Sequence, residues 1–280
     1  MELKTLEGVS TDALLEIFNH AFSDYLVPFK LSKEQLEAKL KSEGTRPDLS
    51  PGAFEDGKLV AFIIHGYAEI DGRKLAYNGG TGVIPEQRGQ RLVGKLYEFI
   101  NPILKDEGIT TVILEVMTKN EPAIRSYTKT GFHITRELNC YKGTLEKTSD
   151  SFTGDIRPLD DYNWELFTSF WDFQPTWQNS ARAMEAIKEI CVTIGAYDED
   201  KLVGYLIYNP LSKRPQQFAV KKDHRHKGLG RKMFQYIANH YSTELSSVNI
   251  DARSEDTNEF FRSLGFTNFV QQYEMEWVIG

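Results

Sequence analysis

Residues 225–230, Arg-His-Lys-Gly-Leu-Gly, lie between a short apolar strand ending at Val220 and a long amphipathic run. Unpaired N–H groups at a helix start carry roughly half a positive charge together, and anions bind there. Glycine suits such a turn because a side chain would hold a phosphate away from the main chain. With Arg225 and several unobstructed amides, Gly228 and Gly230 stand where a pyrophosphate would come closest. A simple glycine-bearing turn accounts for the same pattern, so the motif needs its context. Residues 88–93 match it in Arg88, Gly89 and Gln90, but Arg91 and Val93 replace the two glycines. Other groups with chemistry are the phenol of Tyr127 and the carboxylates of Glu115 and Asp251, each near the end of an expected strand. His224 and His226 are two residues apart with no cysteine nearby, which is not the spacing of a metal site.

Three stretches recur in the same order. The run 52–66, GAFEDGKLVAFIIHG, returns as GAYDEDKLVGYLIYN at 195–209, an offset of 143. The turn region returns at an offset of 137, and YTKTGF (127–132) returns as FRSLGF (261–266) at 134. A steadily shrinking offset means two copies of one architecture, the second slightly trimmed. The polar stretch EKTSDSFTGD (146–155) reads as a linker, so the expected domains are 1–147 and 153–280.

Each copy reads as mixed α/β. Ser10 or Thr11 caps a helix with Leu14, Leu15, Phe18 and Phe22 on one stripe. Ser32 and Gln35 are spaced as a capping box, and Gly44 stops that helix. Asp56-Gly57 and Asp71-Gly72 mark hairpin turns. A strand to Val83, a helix from Leu92, a strand, the helix EPAIRSYTKT and a last strand follow, and the second copy repeats the order.

The pattern Val-x-Pro-x-x-Arg-Gly before a helix, then a strand and NEPAIRSYTKTGF, resembles the GNAT N-acetyltransferase superfamily. That family's signature is (Gln/Arg)-x-x-Gly-x-(Gly/Ala) followed by an Asn…Tyr…Gly-Phe segment. The resemblance covers most of both halves, so the chain looks like a tandem GNAT protein. It implies a splayed mixed sheet flanked by helices, with acetyl-CoA held by the loop and an amine attacking the thioester directly. Arg225, His226, Lys227, Gly228, Leu229 and Gly230 match the loop, and Phe218, Ala219 and Val220 match the strand that meets pantetheine. In the first half Val83, Arg88, Gly89 and Gln90 match. Asn120 matches the asparagine near the cofactor, and Tyr127 the hydroxyl that protonates the leaving thiolate. The second half has Ser254 and Phe261 at those two positions, and phenylalanine has no proton to give.

A general acid is worth about 10²–10⁴ in rate, whereas positioning reactants is worth up to roughly 7–11 kcal/mol. A copy without its loop therefore loses more than a copy without its acid. The expected principal acetyl-CoA site is in the second half. Two alternatives stay open: activity in the first half through Tyr127, and a non-catalytic CoA-binding regulatory protein. The expected partner is a small-molecule or peptide amine whose identity is not legible, and a homodimer is left open.

The formal charge of −7 gives no footprint for nucleic acid or anionic lipid. No apolar run is long enough to span a membrane, and the N-terminus lacks a signal-peptide pattern. With Cys140 and Cys191 expected as small buried hydrophobes, a cytoplasmic setting is expected. All four tryptophans lie in the second half. Trp164 and Trp171 share a helical spacing with Phe167 that suits packing, and Trp177, beyond Pro175, is the expected pocket residue.

Overall fold

Ser10 and Ser32 start the first two helices as expected. In the computed structural model, which describes residues 1–24, 30–149 and 156–280, β1 (Glu2–Thr5) precedes α1 (Thr11–Ala21) and α2 (Lys33–Glu43). Ser10 accepts from the Ala13 N–H, and Ser32 and Gln35 form the reciprocal capping box. Gly44 ends α2 in the left-handed region at φ 67°. Then β2 (Pro51–Glu55), β3 (Lys58–Ile70) and β4 (Arg73–Val83) form two hairpins. Asp56 and Gly57 turn the first with φ of 49° and 77°, and Asp71 and Gly72 the second with 51° and 71°. Two positive φ values in succession match the twist of paired strands.

A helix α3 (Leu92–Asp106), a strand β5 (Ile109–Met117), a helix α4 (Glu121–Thr130) and a strand β6 (His133–Thr144) follow. The second copy runs β7 (Ile156–Pro158), α5 (Trp164–Thr168), α6 (Ala181–Ala186), β8 (Val192–Asp198), β9 (Lys201–Asn209), β10 (Arg214–Val220), α7 (Leu229–His240), β11 (Glu244–Asp251), α8 (Glu255–Ser263) and β12 (Thr267–Val278). Residues 150–155 of the expected linker lie outside the described residues; just before them, the Thr148 N–H donates to Asn239 Oδ1 at 3.0 Å.

Two compact units result. Unit 1 is Met1–Arg136 with Gln272–Gly280, and unit 2 is Glu137–Gln271. The expected continuous segments differ from these units by one strand each. Side-chain burial explains the exchange. Met275 is fully buried and Trp277 packs beside it in the core of unit 1, with Tyr97, Ile100 and Phe132. Tyr141 and Leu145 of β6 are buried in the core of unit 2.

In unit 1, β4 and β5 pair in parallel from Lys74 and Ile109 up to Asn78 and Leu114 and then part, while β5 pairs on its other edge with Gln272–Val278. In unit 2, β10 is the edge of a four-stranded sheet ordered β10-β9-β8-β7, and β11 pairs with β6 instead. The corresponding strands therefore separate in both copies. Each first strand also carries a bulge at the same place: the register skips Gly79 in β4 and Gln216 in β10.

Candidate active site

Most helices begin with a side-chain cap: Ser10, Ser32, Asn120, Asn163 and Ser180 each accept from a first-turn N–H. Helix α7 does not. Its N-cap is Gly228 at φ 83°, with no side-chain cap, and the first main-chain bond along it is Lys232 N–H to the Gly228 carbonyl. The N–H groups of Leu229, Gly230 and Arg231 thus lack main-chain acceptors at a positive helix end. All three residues line a cavity of about 400 Å³, within the size range of small-ligand sites.

That cavity follows β10. Gln216, Gln217, Phe218, Ala219 and Val220 line one wall, Thr257 and Phe260 of α8 another, and Asn249 and Ile250 of β11 the far side of the gap. Its lining includes residues from both faces of the sheet, since Phe218 packs against one core cluster of unit 2 and Ala219 belongs to the other. The cavity therefore passes through the opening where β10 and β11 part. Asn249 stands there at φ 64° inside a strand, its amide donating to Thr176 Oγ1 at 3.2 Å. Left-handed backbone at a non-glycine strand residue costs on the order of 1–3 kcal/mol and concentrates at functional sites.

The loop is held open by Arg225. Its guanidinium donates to the Val220 carbonyl at 2.9 Å, to Asp172 Oδ1 at 2.9 Å and to the Phe170 carbonyl at 3.0 Å. Arg88 in unit 1 repeats every bond: Val83 carbonyl at 3.3 Å, Asp24 Oδ2 at 2.7 Å, Ala21 carbonyl at 3.0 Å. This arginine shapes the loop through fixed hydrogen bonds. His226 holds a left-handed turn position at φ 58°. His224 sits between Asp223 Oδ1 at 2.6 Å and Asp198 Oδ2 at 3.0 Å. Hydrogen bonds from His224 first, and then from Lys221 Nζ at 3.0 Å, hold the Asp223 carboxyl down at about 2.

Gly230 has a packing reason for its identity. A Cβ there would lie 3.0 and 3.2 Å from ring atoms of Phe260, tighter than side chains tolerate without movement. Phe261 is fully buried and stacks on Tyr141, centroids 4.8 Å apart. Trp171 packs against a core cluster, as expected, and also lines the cavity, whereas Trp177 is not among the lining residues. Trp171 lines the cavity and donates from Nε1 to the Tyr205 hydroxyl at 2.6 Å, which donates to Gln217 Oε1 at 2.8 Å. Trp177 is buried, with the Arg182 guanidinium over its ring. The spacing showed a packing helix, but α5 ends at Thr168, before Trp171. Asp251 is buried and bound by Arg253 through Nε at 3.0 Å and Nη2 at 2.8 Å.

In unit 1, Arg91 is the N-cap of α3 at φ 58°, again without a side-chain cap. Tyr127 is 7 % exposed, edge-on to Tyr97 at 6.5 Å. Asn120 caps α4 by accepting from the Ala123 N–H at 3.3 Å. Glu115 accepts from the Tyr77 hydroxyl. Among the described residues no cluster of His, Cys, Asp and Glu suits a metal ion.

Two units, each with a parted strand pair beside a helix start that has no side-chain cap, define an acyltransferase architecture present twice. The acetyltransferase (GNAT) family model matches residues 12–132 and the acetyltransferase (GNAT) domain model residues 189–268. The chain belongs to the GNAT superfamily, in tandem arrangement. A tandem GNAT protein from the clavulanic acid biosynthesis pathway superposes with a TM-score of 0.74 at 14% identity, covering 100% of this chain and 98% of that one. A GCN5-related N-acetyltransferase from Sphaerobacter thermophilus gives 0.70 at 14% identity, covering 99% and 95%. Comparison with curated protein sequences returns no match.

Proposed function

We propose that the protein is an N-acetyltransferase that moves an acetyl group from acetyl-CoA to a primary amine, with the coenzyme held chiefly by unit 2. The observation that carries this is the uncapped start of α7 opening into a cavity that runs along the free edge of β10. The residues present fit the coenzyme: the N–H groups of Leu229, Gly230 and Arg231 would hold its diphosphate, and the β10 edge at Phe218–Val220 its amide-bearing arm. When bound, the group supplies a thioester whose C–S bond breaks as the amine nitrogen forms an amide, the nitrogen's proton leaving with the thiol.

Trp171, Phe173 and Pro175 wall the cavity with apolar surface and keep water from the reacting end. Gln217 is fixed by Tyr205 and cannot swing into the gap without breaking that bond. No hydroxyl stands at position 261, so the thiolate leaving in unit 2 would take its proton from the attacking nitrogen or from water, while positioning supplies the rate. Neither Cys140 nor Cys191 forms a disulfide, and no described helix is long and apolar enough to cross a membrane; a cytoplasmic setting agrees with both.

A second reading is favoured by Tyr127: transfer in unit 1, where the phenol stands at the position of the family's acid. Calorimetric titration with acetyl-CoA, and turnover against a panel of primary amines, test the two. Loss of both in Gly228→Arg supports unit 2. Loss of turnover in Tyr127→Phe with Gly228→Arg unaffected moves the reaction to unit 1. Binding without turnover in every amine leaves a coenzyme-binding regulator.

A further inference from the structure

Unit 1 buries a carboxylate at the point where its strands part. Glu43 is the last residue of α2 and 1 % exposed. Its Oε2 lies 2.0 Å from where a Cβ of Gly79 would be, with Cδ at 2.8 Å and Oε1 at 3.3 Å. Any side chain at 79 would occupy the carboxylate's place. Gly79 is the residue that the β3–β4 register skips, next to Asn78, the last residue of β4 paired with β5. Glycine inside a strand weakens it and often marks a close approach by another group. Burying a carboxylate costs several kcal/mol, and an apolar pair of the same volume would commonly be as stable. Two unfavourable choices therefore coincide at one bulge.

The carboxylate already has a ligand of defined chemistry. Lys39, one turn earlier on α2, donates from Nζ to Glu43 Oε1, and its side chain keeps 18 % exposure against 2 % for Glu43. A primary ammonium at the end of a four-carbon chain reaches the carboxylate from the solvent side. In unit 2 the matching bulge residue, Gln216, lines the open cavity. The bulge thus faces the cavity in the copy where one is described.

We propose that Glu43, seated on Gly79, is a binding site for a primary alkylammonium ligand, and that the Lys39 ammonium fills it when no ligand is present. An incoming ammonium takes over the bond to Oε1, and Lys39 swings out to water, where its charge is solvated at little cost. The site stands on the geometry of unit 1 alone, so it does not depend on the coenzyme reading.

The test is calorimetric titration of the full chain with cadaverine, with 1-pentanol as the uncharged control. Wild type binds the diamine and not the alcohol. Glu43→Gln weakens binding about tenfold or more, the loss expected for a charge-assisted bond. Lys39→Met tightens it about threefold or more, because the internal competitor is gone. Gly228→Arg leaves it unchanged, which separates this site from the coenzyme site. Absence of cadaverine binding in wild type overturns the proposal, as does equal binding in Glu43→Gln. If Glu43→Gln fails to fold, Lys39→Met decides: weaker or unchanged binding there means the pair is structural only.

Discussion

Gly228→Arg separates what the turn needs to fold from what it needs to bind. A side chain at φ 83° costs about 1–2 kcal/mol from the clash of Cβ with the following carbonyl. Glycine's greater entropy loss on folding offsets roughly 0.5–1 kcal/mol of that. No heavy atom lies within 4 Å of the Cβ that would be added, so no packing cost joins the sum. Arg91 holds the equivalent turn of unit 1 at φ 58°, which shows that arginine is accommodated. The variant should fold with a stability loss of about 0–1.5 kcal/mol by these magnitudes.

Binding should suffer more. Each amide bond to a diphosphate oxygen is charge-assisted and worth about 1.5–3 kcal/mol, or roughly 10- to 150-fold in Kd. A long side chain at the N-cap crowds the N–H groups of Leu229 and Gly230, and losing one such bond already reaches that range. Calorimetric titration with coenzyme A, paired with urea unfolding of the same samples, reads both quantities. A folded Gly228→Arg protein whose Kd stays within about threefold of wild type would refute the diphosphate role of this helix start.

Gly230→Val places its Cβ against the Phe260 ring and should cost about 1–3 kcal/mol of stability in urea unfolding, with less change in coenzyme affinity because the N–H remains. Met275→Ala should destabilise unit 1 by about 2–5 kcal/mol, despite its place near the C-terminus; hydrogen exchange should show α3 and β5 losing protection rather than α7. His65 is fully buried, and desolvation holds its imidazole down at about 4 despite its hydrogen bond to the Leu49 carbonyl. The unfolded chain takes up that proton near pH 6.5 and the folded one near 4, so stability falls as pH drops through that window. The loss is on the order of 3 kcal/mol, read by urea unfolding at pH 7 and pH 4.5, and His65→Asn should flatten it.

What was legible in the chain was local. Caps at Ser10 and Ser32, the stop at Gly44 and both Asp-Gly turns depend on a few neighbouring residues, and each forms as read. The repeat was legible because three matches keep their order. The strand exchange was not, since an alternating strand does not record which sheet receives it; only the burial of Met275 and Tyr141 does. The bonds of Arg225 to Asp172 and two carbonyls were not legible, because those partners lie far off in sequence or have no side-chain signature. That Trp171 would reach the cavity as well as the core was not legible, because α5 ends at Thr168, earlier than its spacing suggests. Nothing in the helix sequence sets Glu43 apart from the other charges of α2. Gly79, inside a strand of three near-adjacent glycines, was its only trace.

Both missing glycines of unit 1 looked like damage to the same function, yet their side chains have different surroundings. Val93 packs into the core of unit 1. Its counterpart Gly230 is small because Phe260 lies over it, and the residue matching Phe260 in unit 1 is Ser126, which leaves room for the valine. Positions 93 and 126 have traded volume with 230 and 260, and neither trade blocks the helix start. Only Arg91 is exposed at the N-cap, on a turn whose two left-handed positions, Gly89 and Arg91, follow the same path as His226 and Gly228. Arg91→Gly alone should therefore give α3 a second coenzyme site, raising the calorimetric stoichiometry from one toward two. Relief of the left-handed side chain should leave stability within about 1 kcal/mol of wild type. If the stoichiometry stays at one until Val93 is also replaced by glycine, the valine obstructs after all, and its burial in the core is not the whole account of that position.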